Sequence, residues 1–100
     1  MALTKTQEKF LRALAHKRKP IVWIGHQGLT GNVLTELETA LAYHELIKVK
    51  LRVGDRELRD AMILELCAKT GAVSVQRIGN IVSLYRMHKD KPKIVFTDCD

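Results

Sequence analysis

The stretch Ile21-Val22-Trp23-Ile24-Gly25-His26-Gln27-Gly28-Leu29-Thr30 runs from four apolar residues through a glycine-bracketed polar pair to a threonine. A short unbroken apolar run reads as a strand buried on both faces, which expects Trp23 to pack in the core. Thr30 is a preferred helix N-cap, and Leu29 with Leu34 fits the hydrophobic staple, so a helix opens directly after the glycines. Val33, Leu34, Leu37, Ala40 and Leu41 form its apolar stripe, with Glu36, Glu38 and Thr39 turned outward. The period then changes from helical to alternating. Over Leu46–Val53, Ile47, Val49, Leu51 and Val53 alternate with Lys48, Lys50 and Arg52, the pattern of a half-buried strand with one cationic face.

Upstream, Thr4 and Gln7 fit a capping box opening a helix through Phe10, Leu11 and Leu14. Lys17, Arg18 and Lys19 suit its C-terminus, and Pro20 bars continuation. Downstream, Gly54-Asp55 breaks the strand and caps a third helix whose stripe is Leu58, Ala61, Met62, Leu66 and Cys67, with Gly71 closing it. Two strand-like runs, Ala72–Ile78 and Ile81–Met87, are separated only by Gly79-Asn80, a strong hairpin signal.

The order is α-β-α-β-α-β-β, an α/β two-layer fold on a four-stranded mixed sheet. Right-handed crossovers put the second and third helices on one face. Lys48, Lys50 and Arg52 then point to the other face, unless the N-terminal helix covers them. Residues 1–87 are expected to form the domain, and 88–100, charged and interrupted by Pro92, a loosely ordered tail.

The chain has 100 residues, enough for one domain, and 46% of them are apolar, enough for a core without metal or disulfide. Seventeen Lys and Arg against eleven Asp and Glu give a net charge of +6, which favours polyanionic partners. The charge is striped. Residues 1–20 hold six cations and one acid, 21–47 hold no cation and three acids, and Lys48, Lys50 and Arg52 follow. Cys67 and Cys99 make no disulfide framework, and there is neither a membrane-length apolar run nor a signal-peptide core. A monomer in the reducing cytoplasm, with no membrane partner, is expected.

Glycines between a strand and a helix N-terminus leave backbone amides open to close approach by another backbone. The helix end adds unpaired N–H donors and partial positive charge. Gly25-His26-Gln27-Gly28 is therefore read as a GxxG loop clamping a nucleic-acid backbone, as in KH domains. The P-loop string is absent, and the dinucleotide fingerprint fails because His26 and Gln27 follow Gly25. His16, His26, His44 and His88 are scattered without zinc spacing, and no carboxylate pair converges. No enzyme, cofactor, metal or small-molecule substrate is expected. Of the five aromatic residues only Trp23 and Tyr85 fall on strands, so recognition through phosphate and shape is favoured over base stacking.

These residues accumulate into a pattern. Leu3-Thr4-Lys5, Leu11 to Ala15 with Lys19-Pro20, Ile24 to Thr30, Ala40-Leu41, Glu45 to Lys50, Gly79-Asn80 and Leu84-Tyr85-Arg86 resemble the CRM domain family, specifically its stand-alone bacterial YhbY-type RNA-binding proteins, over residues 2–87. The resemblance implies a fold like the C-terminal domain of translation initiation factor three, with sheet order 1-2-4-3 and the last strand antiparallel. It also implies association with precursors of the large ribosomal subunit, with Gly25, His26, Gln27 and Gly28 on the RNA. Many relatives carry Lys, Arg or Asn where His26 stands. An imidazole can still donate to a phosphate but has no fixed charge, so binding here is expected to respond more to pH.

Two functions follow as expectations. In the first, the chain binds ribosomal RNA during large-subunit assembly, through Gly25, His26, Gln27 and Gly28 with Lys17, Arg18, Lys19, Lys48, Lys50 and Arg52. In the second, it is an adaptor on ribosomal proteins or assembly factors without RNA contact, using the acidic face Glu36, Glu38 and Glu45.

Overall fold

In the computed structural model, residues 3–94 and Phe96 are described. Helix α1 (Lys5–His16) starts at the expected capping box, Thr4 Oγ1 accepting from the Gln7 amide and Gln7 Oε1 accepting from the Thr4 amide. Strand β1 (Val22–Ile24) leads through the glycine loop to α2 (Gly31–His44), which Thr30 caps. Then come β2 (Leu46–Leu51), α3 (Arg56–Thr70) capped by Asp55, β3 (Val73–Ile78) and β4 (Ile81–Tyr85). Gly71 ends α3 at φ +74, and Gly79 turns the hairpin at φ +59, backbone that glycine adopts without a Cβ penalty.

The sheet order is β1-β2-β4-β3, with β1 and β2 parallel and β4 antiparallel to both its neighbours. Helices α2 and α3 cover one face. There Leu37, Leu41, Met62, Ile63 and Leu66 bury Val22, Ile24, Ile47, Val49, Leu51, Val82 and Leu84. The other face is only partly covered. Leu11 and Ala15 of α1 close over Leu46, Val75 and Tyr85 at one end, and Val75 reaches this cluster where a bulge between Ser74 and Gln76 shifts the β3 register. The remainder of that face stays open.

How the helices cover the sheet explains two departures from the sequence reading. Strand β1 is not buried on both faces: Val22 and Ile24 are sealed, but Ile21 and Trp23 point to the uncovered side and are exposed. Helix α3 is also rotated from its expected stripe, since Ile63 is buried while Leu58 and Ala61 face solvent. With apolar residues at Leu58, Ile63 and Leu64 as well, the α3 sequence fits more than one inward face, and packing on β3 selects among them.

The third departure concerns Glu45, read as part of an outward acidic face. It is fully buried and stands just past α2 at φ +63. Its carboxylate accepts three backbone N–H groups, from His88 at 2.6 Å, Lys93 at 2.6 Å and Ile94 at 2.7 Å. Against the expectation of a loose tail after residue 87, residues 88–94 are thus seated on the domain. Ile94 is buried against α1, and Phe96 packs edge-on to Phe10 and Tyr85. Positions 95 and 97–100, with Cys99, lie outside the described residues.

Hydrogen bonds to a charged acceptor contribute about 1.5–3 kcal/mol, and an amide in place of the carboxylate would turn donors toward these donors. Glu45→Gln is therefore expected to cost about 2–3 kcal/mol in urea unfolding and to remove hydrogen-exchange protection from the amides of Lys93 and Ile94. Unchanged protection there would show that the carboxylate does not hold the segment.

Candidate nucleic-acid interface

The glycine loop is a closed turn: the Gly28 N–H donates to the Gly25 carbonyl at 3.1 Å, and the Thr30 N–H to the Gly28 carbonyl at 3.1 Å. Its two glycines differ. Gly28 sits at φ +73, which an L side chain resists, whereas Gly25 has no positive φ. Among the described residues a Cβ at either would meet nothing within 4 Å, so both positions leave room for an approaching group. Gly25, His26 and Gln27 are exposed and Gly28 is half-buried.

Directly behind the loop, α2 presents its N-terminus. Thr30 Oγ1 takes the Val33 amide at 3.3 Å and the Thr30 carbonyl takes that of Leu34. Gly31 and Asn32, in the first turn, are exposed, and that turn carries no acid. Outward amides, the positive end of the helix dipole and no competing carboxylate suit an anionic oxygen.

The expected cations do not gather in one pocket. They form a band along β2 and its neighbours. Arg52 is nearest the loop: its own N–H bonds the Ile24 carbonyl at 2.7 Å, and its side chain is exposed. Lys50 lies beside Trp23 in the β1–β2 register, with Lys48 next along the same face. Lys17, Arg18 and Lys19 lie beyond, before β1, six to eight residues from Gly25, roughly 20 Å away for extended chain at 3.3 Å per residue. Two of these cations are committed to the fold: the Arg18 guanidinium bonds the Leu46 carbonyl, and Lys48 Nζ bonds the Arg18 carbonyl at 3.3 Å. Lys17 and Lys19 are exposed.

The structure also assembles cations absent from the expected site. Arg56 and Arg59, at the start of α3, meet Arg77 and Gly79 around a surface cavity, and Arg77 pairs with Asp60. The Leu51 N–H bonds the Asn80 carbonyl at 2.7 Å, so this cluster shares the end of the sheet that carries Arg52 and the glycine loop. Local charge concealed it, because residues 53–72 hold three cations and four acids. Its only signal was topological, the start of the third helix lying beside the hairpin.

The acidic face expected for an adaptor is reduced. Glu45 is internal, Glu38 pairs with Arg86, and Glu36 remains exposed. Burial pushes the Cys67 thiol up from its ordinary range, opposed in part by a backbone hydrogen bond at Ser74, as for a packed thiol. Burial, and secondarily the Glu45 charge, also raise the Tyr85 phenol, which lies beneath α1 out of reach of a base. Among the described residues no group of three His, Cys, Asp or Glu side chains could hold a metal, and no helix is long and apolar enough to cross a membrane.

A mixed β1-β2-β4-β3 sheet, with a GxxG turn at a helix N-terminus and a cationic strand face, marks a small α/β domain whose charge suits a polyanion. Residues 3–86 match the CRS1 / YhbY (CRM) domain model, and the chain belongs to that family. It is 48% identical over 84 residues to an RNA-binding protein of Haemophilus influenzae, covering 84% of this chain and 85% of the relative. It is 46% identical over 86 residues to a probable RNA-binding protein of Pseudomonas aeruginosa, covering 86% and 83%. The solution structure of a Staphylococcus aureus protein, titled as an RNA-binding candidate, superposes with a TM-score of 0.80 at 32% identity, covering 94% of this chain and 98% of that one. The sheet order implied by the resemblance is the one found.

The differing backbones of the two glycines predict differing costs. Gly28→Ala should lower stability by about 1–2 kcal/mol because of its positive φ. Gly25→Ala should stay within about 0.5 kcal/mol in the same urea titration. Equal losses would show that the loop does not hold the turn described.

Proposed function

We propose that this chain is a non-enzymatic, monomeric RNA-binding protein that contacts ribosomal RNA during assembly of the large ribosomal subunit. The observation that carries this reading is the uncovered Gly25–Gly28 turn, set against the α2 N-terminus with Arg52 beside it. A phosphodiester group can approach the loop because Gly25 and Gly28 put no side chain in its path. His26 and Gln27 offer hydrogen bonds, the α2 amides face the phosphate, and Arg52 and Lys50 neutralise its neighbours. Lys17 and Lys19 extend the field, while Arg18 and Lys48 act mainly by bracing the turn into β1.

The names of the relatives support RNA as the partner, and the family resemblance supports ribosomal RNA and the large subunit. The adaptor reading loses support with Glu45 buried and Glu38 already paired with Arg86.

Titration of the protein with protein-free large-subunit ribosomal RNA should show affinity falling steeply with salt. Arg52→Gln should lower the log–log slope by about 0.7 to 0.9, one phosphate contact. Gly28→Asp, which adds a Cβ and a negative charge at the clamp, should abolish this binding while the circular dichroism of the fold is kept. Normal binding by a folded Gly28→Asp protein would remove the loop from the site. Binding only to ribonucleoprotein particles would favour the adaptor.

A further inference from the structure

The open part of the sheet face carries an ordered row of side chains. Register sets Trp23 of β1 beside Lys50 of β2, Lys50 beside Ile81 of β4, and Ile81 beside Ile78 of β3. At about 4.8 Å between strands the row spans roughly 14 Å. Lys48, Ser83 and Gln76 form the next row toward α1, and they line a shallow depression together with Ile78 and Ile81. None of these residues is acidic.

Trp23 is 46% exposed and Ile78 57%. Among the described residues the indole has no hydrogen-bond or ring partner, and the Lys50 ammonium has no ion pair. The other rings are occupied: Phe10 and Tyr85 each pack on Phe96, and Tyr43 meets His44 and Lys93. A large ring left in water beside a lysine is not demanded by the strand, which Ile or Val would satisfy.

We propose that this row is a stacking site for an unpaired base of single-stranded RNA. The indole face takes the base, Lys50 takes a flanking phosphate while Lys48, held on the Arg18 carbonyl, adds only its field, and Ile81 and Ile78 form an apolar floor for the next nucleotide. Base–aromatic stacking with nearby cations is the common device of single-strand binders, and it accepts any base because every base has a π-face. Charge complementarity selects a nucleic acid over an apolar protein segment: the site is a ring flanked by lysines without a carboxylate. The proposal rests on the RNA-binding reading above and deepens it, adding unpaired nucleotides on the sheet to phosphates at the loop.

Trp23 is the chain's single tryptophan, so its emission reports this site alone. The probes are an end-labelled oligouridylate of about eight nucleotides and an abasic ribose–phosphate chain of equal length. Label anisotropy measures binding by each, and Trp23 emission measures contact. The oligouridylate should change the emission in proportion to bound protein, and the abasic chain should bind more weakly without changing it. Trp23→Ala should weaken oligouridylate binding about tenfold and Trp23→Phe only about two- to threefold, with abasic-chain affinity unmoved in both. Unchanged emission on binding, or Trp23→Ala affinity within about twofold of wild type, would overturn the stacking site while salt-dependent binding to ribosomal RNA stands. Failure of the wild-type protein to bind any RNA would overturn both readings. A dimer in sedimentation that Trp23→Ala dissolves would assign the face to a second copy and overturn the proposal.

Discussion

The apolar seam between one sheet face and the paired helices α2 and α3 dictates the rest of the molecule. Ile47, Val49 and Leu51 of β2 are sealed within it. Because strand side chains alternate, the same seam drives Lys48 and Lys50 to the opposite face. A slip of one residue would exchange the two sets and bury ammonium groups without partners. The core and the cationic surface are thus one constraint seen from two sides. The seam also fixes β1 beside β2 and so sets the glycine turn at the strand's end, with Arg52 next to it.

What was legible in the sequence was what local rules determine. The Thr4 capping box, the Thr30 and Asp55 caps, the Gly71 terminus, the alternation in β2 and the Gly79-Asn80 hairpin are each set by a few adjacent residues. The loop was legible for the same reason, being a strand end, two glycines and a cap in succession. What escaped depended on which element covers which. Trp23 in an apolar run is indistinguishable from a core residue until the short reach of α1 leaves its side of the sheet open. Glu45 follows outward acids in helical spacing, and only the return of residues 88–94 makes it internal. Arg56 and Arg59 were hidden by neighbouring acids, of which Asp60 pairs with Arg77 and Asp55 caps α3.

The surplus of cations overstates the surface available to a polyanion. Arg18 and Lys48 spend hydrogen bonds on backbone carbonyls where α1 turns into β1, and Arg86 bridges Glu38 and the Thr70 carbonyl. Such groups still contribute to the long-range field, which steers approach, but they are not free to reshape around a ligand. The exposed Lys17, Lys19 and Arg52 retain that freedom, and Lys50 retains it in part.

The carboxylate of Glu45 sits inside the first half of the chain, while the amides that satisfy it come from residues beyond the last strand. Chain synthesis is vectorial, so a nascent polypeptide with all seven helices and strands already made still holds an unmatched polar group at the base of α2. Closure waits for Lys93 and Ile94 to clear the exit tunnel. The matched family region ends at residue 86, but the unit that reaches its lowest energy is longer, and a fragment cut at that border would leave the Glu45 carboxylate uncovered, with its amide partners removed.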